Sequence, residues 1–261
     1  MKLKMIAMAG AVAMAAVSGT AMAAESTTIL GGEVTGNISV LSSYNLRGIT
    51  GSGNGVTVPE NDGATLQGGL DWSHESGLYL GYWASTLDYA AETFNPKCDE
   101  RCNSNTSFES DFYGGYNGSI NEDLGYTIGG TIYYYYPGWE STGYETLLGL
   151  SYKDFSFTAQ TLLNNVTFGN KGDTYFLASY ETALPSDFTG KVQLGAYYYG
   201  DDDEFTLKTE NDFAFRHLTV GLSHPLGETG ADWSMDYILG GYDRTDTKQK
   251  NKLVLGLSYG F

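Results

Sequence analysis

The chain is poor in four things, and each shortage removes a class of function. Beyond residue 23 no stretch approaches the ~18 consecutive apolar residues of a membrane-spanning helix. Basic residues are scarce: 14 Lys and Arg face 31 Asp and Glu, a formal net charge of −17. Such a chain offers no basic patch for nucleic acid or for an anionic membrane surface. Histidine occurs three times, as His74, His217 and His224, and there is no Gly-x-Ser-x-Gly sequence. Serine hydrolysis needs a serine, a histidine and an orienting carboxylate within reach of one another. His74 and His224 fall at chain reversals and His217 on a polar strand face, so neither an enzyme nor a cofactor is expected. Cysteine occurs twice, as Cys98 and Cys102 in CDERC. In an oxidising compartment that pair closes a small loop as a disulfide. The rival is a metal site, which would have two thiols and no nearby histidine to build on.

What the chain does have begins with an export signature. Lys2 and Lys4 precede an apolar run from Met5 to Val17, and Ala21-Met22-Ala23 has the small residues of a cleavage site. Residues 1–23 are therefore predicted to be a signal peptide, leaving 24–261 as a single domain. Without Lys2 and Lys4 its formal charge is −19. Aromatics make up 14% of the chain, with 21 Tyr, and there are 35 Gly. Tyr and Trp favour membrane–water boundaries, while glycine suits curved strands and crowds a lumen least.

Alternation supplies the architecture. In the final stretch Leu253, Leu255, Leu257, Tyr259 and Phe261 share one parity, and Lys252, Val254, Gly256, Ser258 and Gly260 share the other. Side chains of a strand point to opposite faces with period 2, so one face is apolar and ends in aromatics. This ending resembles the terminal strand of bacterial outer-membrane barrels, which finishes in Phe, and Leu257, Tyr259 and Phe261 are expected to be read by the barrel-assembly machinery. Twelve segments have strand character, at 34–47, 64–75, 78–87, 108–119, 124–136, 144–153, 155–164, 173–182, 189–199, 212–223, 231–242 and 250–261. In the first, Ile38, Val40, Tyr44 and Leu46 form the apolar face. In 173–182 Phe176 and Tyr180 oppose Tyr175 and Leu177. In 212–223 Arg216 falls on the apolar parity of Leu218, Val220 and Leu222, and either snorkels or marks a bulge. Connections alternate between long (48–63, 88–107, 137–143, 165–172, 200–211, 243–249) and short. That is the pattern of an all-β, transmembrane, antiparallel up-and-down barrel of about twelve strands, with the long loops outside.

Four stretches carry a family resemblance: Tyr44-Asn45-Leu46-Arg47-Gly48, QGGLDWSHESGLYLGYWAS from Gln67 to Ser85, ESDFYGGY from Glu109 to Tyr116, and YYYPGWE from Tyr134 to Glu140. Together they resemble the TorF-type porin family, also catalogued as a bacterial protein of unknown function. Where that family tends to place Ser-Gln after Arg-Gly, this chain has Ile49-Thr50-Gly51, so any role of that pair does not carry over. The resemblance implies a Gram-negative outer-membrane location and a channel role, with no established substrate.

By parity, Asp71, Asp111, Glu145 and Asp236 line the lumen as acids, Arg47, Lys191 and Lys252 as bases, and Tyr133, Tyr135, Tyr197 and Tyr199 as bulk. Arg47 either pairs with a lumen carboxylate to stiffen the wall or takes part in solute selection. Asp201-Asp202-Asp203-Glu204 is the densest charge run and lacks the spacing of an EF-hand loop. It reads as a solvated outer loop or a cation-bridged contact to lipopolysaccharide phosphates. The expected function is passive diffusion of small hydrophilic solutes with a modest cation preference. A non-conducting structural or adhesion barrel acting through acidic outer loops is the alternative, and an outer-membrane hydrolase a distant third. Expected partners are outer-membrane lipid and lipopolysaccharide, the assembly machinery and small solutes; no metal is expected, and parity does not set the oligomeric state.

Overall fold

A computed structural model describes residues 27–50, 61–88, 107–136, 142–166, 168–200 and 209–261. Its strands are β1 (Thr27–Ile29), β2 (Gly32–Leu41), β3 (Thr65–His74), β4 (Leu78–Leu87), β5 (Ser107–Ser119), β6 (Leu124–Tyr136) and β7 (Gly143–Tyr152). They continue with β8 (Phe155–Leu162), β9 (Thr174–Ala183), β10 (Thr189–Tyr198), β11 (Phe213–Pro225), β12 (Ala231–Gly240) and β13 (Lys252–Gly260). Each strand pairs antiparallel with its neighbour in sequence, and β2 also pairs with β13, so β2 to β13 close a twelve-strand barrel. Closure satisfies the backbone of every strand inside the wall, which is what a hydrocarbon surround demands.

Alternation decides which face is which. Leu253, Leu255, Leu257, Tyr259 and Phe261 stand half-exposed on the outer wall, as do Leu148, Leu150, Val192, Leu194 and Val220. Aromatic pairs ring the short-turn end of that wall, among them Tyr116–Tyr126, Phe155–Tyr180 and Tyr259–Phe261. The start of β2, Phe261 and the short reversals 75–77, 120–123, 153–154, 184–188 and 226–230 lie at this end, and the strands that lead into the long connections end at the other. With its apolar belt and aromatic girdle, this is an outer-membrane barrel.

Three sequence expectations need revision or a decision. Strand 34–47 ends at Leu41, because Ser42 is the last residue tied to β13: its N–H donates to the Leu255 carbonyl, and its hydroxyl accepts from the Leu255 N–H. The chain then turns into the barrel through Arg47 and Gly48, at φ +48° and +74°. Tyr44 and Leu46 therefore do not face lipid; Tyr44 is buried edge-on against Trp83, with ring centroids 5.7 Å apart. In β9, Phe176 and Tyr180 point outward while Tyr175 and Leu177 point into the lumen. In β11 a bulge settles the register: Gly195 pairs with His217 and Ala196 with Phe215, so Arg216 is skipped and turns inward at 2% exposure. The Cys98–Cys102 disulfide and the 201–204 run lie outside the described residues.

The seam is the shortest ladder of the barrel. β13 pairs with β2 over five residues, Gly256–Gly260, and Phe261 adds two backbone hydrogen bonds to Gly36, at 2.7 and 2.9 Å. The rest of that edge of β2 is taken by β1, which sequence patterning missed, paired from Gly32 to Val34.

Candidate functional site

The lumen has an inner half, toward the short turns, and an outer half, toward the long loops. The inner half is polar and partly solvated. Tyr113 Oη donates to Asp71 at 2.5 Å, Lys191 Nζ donates to Asp236 at 3.1 Å, and Gln193 Nε2 donates to Ser179 Oγ at 3.3 Å. Glycine at 81 is needed because the Tyr113 ring occupies the space a Cβ would take; the glycine makes room on the wall rather than across the lumen.

The outer half is filled, and the segment 42–50 fills it. From the end of β2 it crosses the barrel and lays Arg47 against the far wall. Both terminal nitrogens of Arg47 donate to Glu145 of β7, at 2.8 and 2.7 Å. The same nitrogens also donate to Tyr197 Oη at 2.7 Å and Tyr133 Oη at 3.1 Å. The guanidinium lies 4.8 Å from the ring centre of Tyr175 and 5.9–6.0 Å from those of Tyr197 and Tyr133. Arg47 is 6% exposed and Glu145 4%. Burial alone would lower the pKa of Arg47, but Glu145, Tyr197 and Tyr133 together outweigh burial and hold the group above its ordinary value. The bidentate geometry of Arg47 on Glu145 is the strong form of an ion pair.

Two more acids share this layer. Glu109 accepts from Tyr135 Oη at 2.9 Å and from the inward-turned Tyr44. Asp111, fully buried between the ladder partners Trp83 and Tyr133, feels the charges of Glu109, Glu145 and Arg47. Neither of its carboxylate oxygens has a hydrogen-bond partner among the described residues. The opposite wall carries the bases. Arg216 donates from Nε to the Arg47 carbonyl at 3.3 Å and from Nη1 to the Tyr242 carbonyl at 3.0 Å. Arg244 pairs with Asp173 and lies 4.9 Å from the ring centre of Tyr199, itself stacked on Tyr197. Thr50 stitches the inward segment to the last loop: its N–H donates to Gln249 Oε1 at 2.9 Å, and its hydroxyl accepts from the Lys250 N–H at 2.6 Å.

Of the residues read by parity, the outer layer brings together Arg47, Asp111, Tyr133, Tyr135, Glu145, Tyr197 and Tyr199. Asp71, Lys191 and Asp236 lie in the inner half, and Lys252 pairs with Asp62. Parity could have found Glu109, two positions from Asp111 on the same face. Nothing local marks Arg244 or Asp173, which reach the site from loops. His217 bonds Tyr175 Oη at 2.7 Å and Thr219 Oγ1 at 3.1 Å, while His74 and Ser76 only cap a turn.

Comparison with known proteins agrees with this architecture. The KdgM porin superposes with a TM-score of 0.53 over 87% of this chain and 99% of its own, at 9% identity. The same porin in complex with disordered oligogalacturonate gives 0.49 over 87% and 98%, also at 9% identity. The outer membrane protein OprD from Pseudomonas aeruginosa gives 0.41 over 90% of this chain and 66% of its own, at 11% identity. At such identities the likeness is one of fold. No curated protein matches the sequence. Residues 24–256 match the family described as "Bacterial protein of unknown function (Gcw_chp)", and the chain belongs to that family.

Proposed function

We propose that this barrel is a narrow, passive, porin-like channel for small hydrophilic solutes with a modest cation preference; the TorF-type resemblance implies the channel role, and the chain's charge the preference. The observation that carries the reading is the lumen face of β2 to β13. It holds Asp71 on β3, Glu109 and Asp111 on β5 and Glu145 on β7, four acids on alternate strands of one wall. A soluble or purely structural barrel has no need of four inward acids on one wall, since apolar side chains fill such a space at lower desolvation cost. Residues 1–23 belong to this reading as a cleaved export signal.

Acidic clustering at one mouth focuses cations, and the 201–204 run in an outer connection adds to the lumen acids. The reversal potential of purified protein in a planar bilayer under a KCl gradient is expected to have the cation-selective sign. It should shrink in ~1 M salt, where the Debye length is ~3 Å. An anion-selective sign overturns the charge argument.

One observation favours a second reading, a non-conducting barrel: Tyr44 and Arg47 plug the outer half, both less than a tenth exposed. On the channel reading this plug is a closed position of the segment 42–50, and Arg47→Ala raises conductance severalfold. Silence of both the natural protein and this variant favours the non-conducting barrel.

A further inference from the structure

Taking the barrel as a conduit, we propose that the Arg47 side chain is a tethered stand-in for solute. The site it fills is a binding site for a free guanidinium-bearing cation, which competes with Arg47 and displaces it.

The first argument is charge. Arg47 brings one positive charge to a layer holding Glu109, Asp111 and Glu145, and Arg216 and Arg244 lie on the opposite side, with Arg244 committed to Asp173. Asp111 is fully buried, and both of its oxygens are without partners among the described residues. A buried carboxylate in that condition is costly and is normally met by a cation or a donor. Arg47 is the cation that meets Glu145, so the site it leaves must take another cation in its place.

The second argument is shape. Glu145 takes both terminal nitrogens of Arg47, and Tyr133 and Tyr197 take a second bond from each. The Tyr175 ring is offered at 4.8 Å. A flat fork held by a bidentate carboxylate and an aromatic face is recognition of guanidinium specifically; a compact ammonium cannot make both bonds at once. Among the described residues no three acidic, histidine or cysteine groups converge as metal ligands, so the spacing suits an organic ion better than a metal.

The third argument is the tether. Arg47 reaches the site from the opposite wall on a segment that holds a non-glycine residue at φ +48°. Left-handed backbone is unfavourable for a side-chain-bearing residue, so the occupied geometry is imposed by the site. A tethered group has an effective concentration on the order of millimolar, and free solute in the same range competes with it. When solute takes Glu145, the segment 42–50 loses its anchor and the lumen can clear.

The test is calorimetric titration of the folded barrel in detergent with methylguanidinium chloride and, separately, methylammonium chloride, at fixed ionic strength. Arg47→Ala vacates the site and is expected to bind methylguanidinium about tenfold more tightly than the natural protein, with methylammonium about tenfold weaker. Adding Glu145→Gln should abolish the difference between the two cations. Heat-modifiable migration on gels reports folding; if the alanine variant does not assemble, Arg47→Lys carries the test, with an affinity between the two. Equal affinity in the natural protein and the vacated variant, or no preference for methylguanidinium, overturns the proposal. Bilayer current separates it from the channel reading. A silent barrel that binds methylguanidinium keeps the site and refutes the conduit, whereas a conducting Arg47→Ala barrel indifferent to methylguanidinium refutes the site alone.

Discussion

In the outer half of the lumen Arg47, Glu109, Asp111, Glu145, Tyr175, Arg216 and Arg244 are each less than a tenth exposed; in the inner half Asp71, Gln193 and Ser179 keep contact with water. The strands are the same, and so is their alternation. What differs is chain that is not strand. The segment 42–50 and the loop 241–251 enter the barrel from the outer end, bring Tyr44, Arg47, Arg244 and Gln249, and displace solvent that remains at the inner end. A barrel of twelve strands is too wide for wall side chains alone to fill and too narrow to ignore a folded segment. The difference between the two ion pairs is therefore one of degree: Arg47–Glu145 is packed in on all sides, whereas Lys191–Asp236 keeps a lysine side chain 11% exposed.

Four measurements would break or sharpen that contrast. The largest expected effect is all-or-none and tests which half faces out. A cysteine at Lys171, exposed in an outer connection, should react with an impermeant reagent on intact cells, and one at Asn121, in a short turn, should not. Its neighbour Asn170 is useless for this, since it is buried and bonded to the Gly200 carbonyl. Reversed labelling would invert the barrel. Next, Glu145→Leu leaves Arg47 buried without its anion and should cost ~3–5 kcal/mol in urea unfolding from micelles. In the inner half, Asp236→Asn removes a charge but keeps an oxygen that accepts from Lys191, whose side chain is 11% exposed, and should cost about 2 kcal/mol. Smallest of all, Gln193→Ala loses one solvated hydrogen bond and should stay within about 0.5 kcal/mol. If Glu145→Leu and Asp236→Asn cost the same, the two halves are not different kinds of interior.

Much of the fold was legible because a barrel wall is a local code. Period 2, repeated through strands such as Leu253 to Tyr259, states which face meets lipid without any knowledge of partners. The code fails wherever the chain leaves the wall or loses register. Tyr44 and Leu46 keep the alternation of Ile38 and Val40, so nothing in spacing announces that β2 has ended; the signal is the Arg-Gly pair, whose positive φ angles release the strand. Arg216 looked misplaced because it is itself the bulged residue, skipped between His217 and Phe215, and a single sequence admits either reading. The site was half legible for the same reason. Asp111, Tyr133 and Glu145 sit on regular strands, whereas Arg244 and Asp173 are brought in by loops whose paths no periodicity encodes.

The seam has a practical corollary. Phe261 is hydrogen-bonded to Gly36, and Thr27 already pairs with Val34 on the same edge of β2, so a single residue, Thr35, separates the two claimants. Anything spliced after Phe261 would have room for about one more rung before colliding with β1. A fusion or affinity handle at this terminus must then either peel β1 away or bend sharply off the wall. A reporter is better carried on the outer connections.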